Sequence, residues 1–131
     1  MSKDAVRTEA APAPFQGAPY SQAIKAGGFV FVSGQLALKP GDKDLQGGEI
    51  GPQTEQLFAN LRAILEAAGS SLDQVVKTTV FLVAMADFTA MNEVYGEFFA
   101  SDPPARSTVA VAELPKNARV EIEAVAQRSG V

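Results

Sequence analysis

The chain reads as an α+β sandwich, in which one mixed sheet carries two helices on one of its faces. Three observations predict it. Runs rich in β-branched and aromatic residues recur between turn signals, two segments carry apolar residues at helical spacing, and the elements follow the order β-β-(β)-α-β-α-β-β. With 131 residues the chain is the size of one domain. Residues 1–14 read as a flexible N-terminal tail, polar and rich in Pro and Ala, and 15–131 as the single folded domain.

Each element has its own signal. The stretch YSQAIKAGGFVFVSGQL (20–36) reads as two strands around Gly27-Gly28, a two-residue turn suited to a hairpin. KPGDKDLQGGEIG (39–51) is a turn-rich connector with room for a short strand. Pro52 suits a first helical turn, Leu57, Leu61, Ile64, Leu65 and Ala68 mark one helical face, and Gly69 is placed to end that helix. VVKTTVFLV (75–83) reads as a strand, and Asp87 as the cap of a second helix with Phe88, Met91, Tyr95 and Phe98 on its buried stripe. After Pro103-Pro104, RSTVAVA (106–112) and RVEIEAVA (119–126) read as two further strands around LPKN.

Two helices cover only one face of such a sheet, yet the strand at 75–83 is apolar on both. Simple alternation sets Val76, Val80 and Leu82 on one face and Val75, Phe81 and Val83 on the other. A half-exposed strand alternates apolar with polar residues instead. The second face therefore calls for a cover, and a homo-oligomer with facing sheets is expected.

Composition removes much ordinary enzymology. The chain has no Cys and no His, which excludes a Ser-His-Asp triad, a Cys-His nucleophile, disulfides and thiolate or imidazole zinc sites. A group that titrates near neutrality must then be a carboxylate or lysine with a shifted pKa, or the terminal amine. The net charge of −4 and the lack of any basic run of four argue against a nucleic-acid partner. The N-terminus lacks the apolar core of a signal peptide, and the longest uncharged apolar stretch falls far short of a membrane span. A cytoplasmic, soluble protein without a membrane partner is expected.

The candidate chemistry lies mostly in the C-terminal third. Glu121 and Glu123 share one face of a strand, where burial and like charge would raise a carboxyl pKa and poise a general base; a solvated strand face is the competing reading. Arg106 opens the preceding strand, and if LPKN closes a hairpin it lies toward the end beside Glu121 to Val125. It could grip a substrate carboxylate bidentately or form a structural pair with a glutamate. Asn92, on the second helix stripe, needs a hydrogen-bond partner if buried, while Tyr20 and Ser33 are single polar residues in apolar settings, each also readable as structural. Gly34 would allow a close approach to a ligand. Asp42, Asp44 and Gly47 mimic the start of a calcium loop, but Gln53 stands where the bidentate Glu is needed, so no metal is expected.

The segments APYSQA, FVFVSGQL, ILEAAG, VVKTTVFL, FTAMNEVYGEFF, PPARSTVAVAELPK and VEIEAVA together resemble the RidA (YjgF, L-PSP-type) family of reactive-intermediate deaminases, from about residue 18 to 126. The resemblance implies a chorismate-mutase-like fold with a six-stranded mixed sheet, a trimer around a central barrel, and a ligand cleft at each subunit interface. It also implies hydrolysis of 2-enamino and 2-imino acids, such as 2-aminoacrylate and 2-iminopropanoate, to 2-keto acids and ammonia, with no cofactor. By that resemblance Arg106 holds the substrate carboxylate, Glu121 activates water, and Tyr20, Ser33 and Asn92 belong to the cleft. Thr108 stands where many relatives have Cys; its backbone contacts to a ligand survive the change and a thiol's role does not. A binding or chaperone-like trimer without turnover, and a ribonuclease, are the alternatives.

Overall fold

A computed structural model describes residues 2–128. Six strands form one sheet: β1 (Asp4–Val6), β2 (Ala23–Ala26), β3 (Phe29–Gln35), β4 (Val75–Leu82), β5 (Ala105–Ala110) and β6 (Val120–Gln127). Helix α1 (Ile50–Ala67) joins β3 to β4, and α2 (Phe88–Phe98) joins β4 to β5. The strand order is β1-β2-β3-β6-β4-β5; all neighbours are antiparallel except β4 and β5, which are parallel with α2 as their crossover. The mixed sheet with two helices is thus present as expected.

The hairpin at Gly27-Gly28 forms with Ala26 opposite Phe29, and Gly27 takes a φ of 59°. The α1 stripe of Leu57, Leu61, Ile64, Leu65 and Ala68 is buried throughout. That helix ends in a Schellman turn: Ser70 N–H donates to Leu65 O and Gly69 N–H to Glu66 O, with Gly69 at φ 80°. Phe58 lies at the centre of the core, stacked on Phe98 at 4.5 Å and edge-on to Tyr95 and Phe99. Truncating it to Ala would cost about 3–5 kcal/mol.

Several expectations need correction. Residues within 1–14, expected as a flexible tail, contain β1, which pairs antiparallel with β2. The buried Gln22 carboxamide anchors the segment after it, accepting from Thr8 N–H and donating to the carbonyls of Thr8, Ala11 and Pro12. The sixth strand is therefore β1, and residues 39–51 supply only an isolated bridge between Leu38 and Leu45. Asp87 precedes α2 without a side-chain cap bond; its carboxylate pairs with Arg119 at 2.7 Å instead. Val75 and Val76 exchange faces, because a bulge between Val75 and Lys77 turns Val75 into the core and leaves Val76 out. Finally, β5 and β6 form no hairpin, since β4 lies between them.

The helices occupy the face of Val80, Leu82, Ile122 and Ala124, which is buried. The opposite face is apolar and open: Phe29, Phe31 and Val109 are 42%, 47% and 43% exposed.

Two glycine substitutions should move stability in opposite directions. Gly69→Ala meets no atom within 4 Å but forces a Cβ into the left-handed region, and should cost about 1–2 kcal/mol. Gly96→Ala, exposed within α2 and equally unobstructed, should stabilise by about 0.5–1 kcal/mol. Urea denaturation of both variants checks the signs.

Candidate active site

Strand alternation sorts the candidate residues into two groups. Residues opposite one another in a ladder share a face. Arg106 and Thr108 lie opposite Thr78 and Val80 of β4, on the helix-covered face. Glu121 and Glu123 lie opposite Phe81 and Thr79, on the open face. Within one chain, Arg106 and Glu121 are therefore on opposite sides of the sheet, and the side-by-side placement expected from a β5–β6 hairpin does not occur.

On the helix side, the Arg106 guanidinium is half-buried at the end of β5. Its Nη1 donates to Asn92 Oδ1 at 2.8 Å, which supplies the partner that Asn92 requires. The guanidinium carbon sits 4.7 Å from the Tyr95 ring centroid and 5.5 Å from that of Phe88. No carboxylate pairs with Arg106 among the described residues, whereas Arg119 is neutralised by Asp87. A cation held by neutral partners retains its attraction for an incoming anion. Two positions along the same strand face, the Thr108 hydroxyl is buried and has no hydrogen-bond partner among the described residues.

On the open side, a bulge shapes the second group. Val32 lies opposite Ala124 and Gln35 opposite Ile122, so Ser33 and Gly34 together face the single residue Glu123. A methyl group on Gly34 would overlap the Glu121 carboxylate, so glycine is what admits that side chain. Ser33 Oγ donates to Ser21 O at 2.6 Å, and the Tyr20 hydroxyl accepts from Phe15 N–H at 3.0 Å. Both polar groups thus have structural bonds as well as a place beside Glu121. A cavity of about 340 Å³ is lined by Phe15, Tyr20, Ser33, Gly34, Pro115, Glu121 and Glu123.

Burial holds the Glu121 carboxyl above the ordinary glutamate range, and the neighbouring Glu123 charge pushes it the same way. Carboxylates 121 and 123 were legible as a pair from their spacing. Phe88, Tyr95 and Thr78 were not, because rings and a threonine inside apolar runs read as core. Their signal was the helical spacing of 88, 92 and 95, which sets two rings and an amide on one stripe. No group of three or more His, Cys, Asp or Glu side chains suited to a metal is present among the described residues, and no described helix is long and apolar enough to cross a membrane.

Comparison with known proteins gives concordant matches. The family model described as endoribonuclease L-PSP matches residues 8–128. A RutC family protein of Pyrococcus horikoshii is 50% identical over 126 residues, covering 96% of this chain and 98% of its own. A protein of Dermatophagoides farinae named 2-iminobutanoate/2-iminopropanoate deaminase is 46% identical over 123 residues, covering 94% of each. The crystal structure of RidA from an Antarctic Psychrobacter superposes with a TM-score of 0.89 at 44% identity, covering 95% of this chain and 98% of that one.

The raised Glu121 pKa has a definite sign for stability. The folded state holds that proton more tightly than the unfolded state, so the group's contribution falls as pH rises from the ordinary glutamate value to the raised one. Glu121→Gln should therefore raise the melting temperature at pH 7, with the gain vanishing at acid pH. In carboxyl-resolved NMR, Glu121 should titrate above an ordinary glutamate, and Glu123→Gln should bring it part of the way back.

Proposed function

The chain belongs to the endoribonuclease L-PSP family, the RidA/YjgF proteins, and from that membership and the divided site we propose that it hydrolyses 2-imino and 2-enamino acids to 2-keto acids and ammonia. The observation that carries this reading is an unpaired arginine on one sheet face and a proton-avid glutamate on the other. The first suits the carboxylate of a small acid, and the second suits water.

The division has a geometric consequence. One chain cannot bring Arg106 and Glu121 to the same substrate across its own sheet, so the working site takes Arg106 from one copy and Glu121 from another. The open apolar face around Phe31 and Val109 is the surface that such copies would bury. A homotrimer with a cleft between each pair of subunits meets both requirements, and it is the assembly the family resemblance implies.

In that cleft the substrate carboxylate docks on Arg106, with Asn92 beside it and the otherwise orphaned Thr108 hydroxyl as a further hydrogen-bond donor. Tyr20, Ser33 and Gly34 form the wall around Glu121. Water, its proton taken up by the Glu121 carboxylate, adds to C2 of the protonated imine. Glu121 returns the proton to nitrogen and, again a carboxylate, takes the hydroxyl proton as the C–N bond breaks, so that the carbonyl forms and nitrogen leaves as ammonia. Imines hydrolyse unaided in water, so orientation and proton transfer need supply only a few kcal/mol. Neither His nor a metal is required for this sequence of steps.

Three experiments test the reading. With imines generated in situ by an amino-acid oxidase, Arg106→Ala and Glu121→Ala should each lower kcat/KM at least about a hundredfold, equivalent to about 3 kcal/mol. Unfolding and refolding an equal mixture of these two inactive chains should restore about a quarter of the wild-type sites, because a mixed interface can pair the intact Arg106 with the intact Glu121. A refolded mixture as inactive as its parents would overturn the shared site. The base must be ionised to act, so kcat/KM should fall as pH drops through the raised Glu121 pKa. Glu123→Gln should move that acidic limb to lower pH.

A further inference from the structure

Arg106 is held from three sides before any ligand arrives. Asn92 accepts one of its N–H groups, and the rings of Phe88 and Tyr95 flank the guanidinium at 5.5 Å and 4.7 Å. Residues 88, 92 and 95 follow i, i+4, i+7 spacing, so one face of α2 supplies all three contacts. Asn92 takes one of the five N–H groups of the guanidinium, which leaves others for an anion.

The Tyr95 ring is itself fixed. Its hydroxyl shares a 2.7 Å hydrogen bond with Thr78 Oγ1, and its ring packs against Phe58 at 5.7 Å and Phe99 at 4.9 Å. Thr78 is fully buried and lies directly opposite Arg106 in the β4–β5 ladder. The contacts therefore close a circuit: the strand pair that carries Arg106 also carries the hydroxyl that orients the ring beneath it. Burial keeps the Tyr95 phenol protonated well above neutral pH against the opposite pull of Thr78 and Arg106, so Tyr95 meets the guanidinium as a neutral side chain, through its hydroxyl as well as its ring.

We propose that Tyr95, tethered by Thr78 and assisted by Phe88, is a positioning residue that presets the Arg106 guanidinium for a carboxylate. The inference rests on the reading of Arg106 as the carboxylate anchor. An arginine side chain has many rotamers, and one already fixed loses less freedom when its ligand binds. The circuit acts on a group that stays constant while C2 reacts, so it strengthens substrate and transition state equally. Its loss should appear in KM and leave kcat nearly unchanged.

The test uses the full chain and two readouts: the Kd for 2-oxobutanoate by ligand-observed NMR, and KM and kcat for the corresponding imine. Tyr95→Leu and Phe88→Leu should each raise Kd and KM about three- to thirtyfold, with kcat per folded chain within about twofold. Thr78→Val, which cuts the tether alone, and Tyr95→Phe, which also removes the hydroxyl's own contact with Arg106, should raise them about two- to fivefold. A merely structural role would lower the active fraction and leave KM and Kd unchanged, and that result overturns the inference. Should Tyr95→Leu fail to fold, Tyr95→Phe and Phe88→Leu, which keep most of the core volume, decide the matter by the same criterion. Arg106→Ala separates the two levels. If it binds 2-oxobutanoate as wild type does, the anchor reading itself falls; if it loses binding while the ring variants do not, only the positioning role falls.

Discussion

The period-two alternation of side chains along a strand is the constraint from which the rest of this molecule follows. Both helices lie against one face of a single six-stranded sheet, so every even step along β5 turns toward them and every odd step along β6 turns away. Arg106 falls on the covered face and Glu121 on the open one. No rotamer brings them together through a layer of paired backbone. The chain thus carries its two groups of candidate residues on opposite sides of the sheet, the second of them beside an exposed apolar surface.

The two arginines near α2 illustrate how context decides what a charge is for. Arg119 is neutralised by Asp87 at 2.7 Å and also donates to Gly48 O, tying the connector after β3 to the start of α2. Arg106 has an amide and two rings as neighbours, which hold its geometry without cancelling its charge. Glu121 shows the converse. Its burial beside a like charge destabilises the ionised form, and a bulge with a glycine is needed merely to admit it. Such an arrangement opposes folding at neutral pH, and shifts of this kind cluster at functional sites.

Much of this was legible in the residues. The helices, the hairpin at Gly27-Gly28 and the strands at 75–82 and 120–127 announce themselves because each depends on local periodicity and turn chemistry. The open apolar face could be read as well, from a strand too hydrophobic for one-sided burial. Strand order was not legible: LPKN has the length of a hairpin turn, and nothing local reveals that β4 inserts between its flanking strands. Nor were the bulges at Ser33-Gly34 and Val76, which shift register by one residue and depend on the partner strand. The N-terminal strand escaped for a related reason. Three residues of weak propensity become a strand only because β2 offers them an edge.

The Gln22 carboxamide has a wider effect than its size suggests. Beyond β1, the segment from Thr8 to Pro12 is fastened to the body through four bonds to this one group, and Val6 and Ala11 are buried in the common core. Residues 4–12 are consequently held to the body by a strand ladder, one carboxamide and two buried side chains. Phe15 follows shortly after and gives its amide to the Tyr20 hydroxyl, and both side chains line the hollow beside Glu121. One side chain just before β2 thus fastens the chain that runs from the sheet's far edge to the wall of a hollow beside a carboxylate three strands distant.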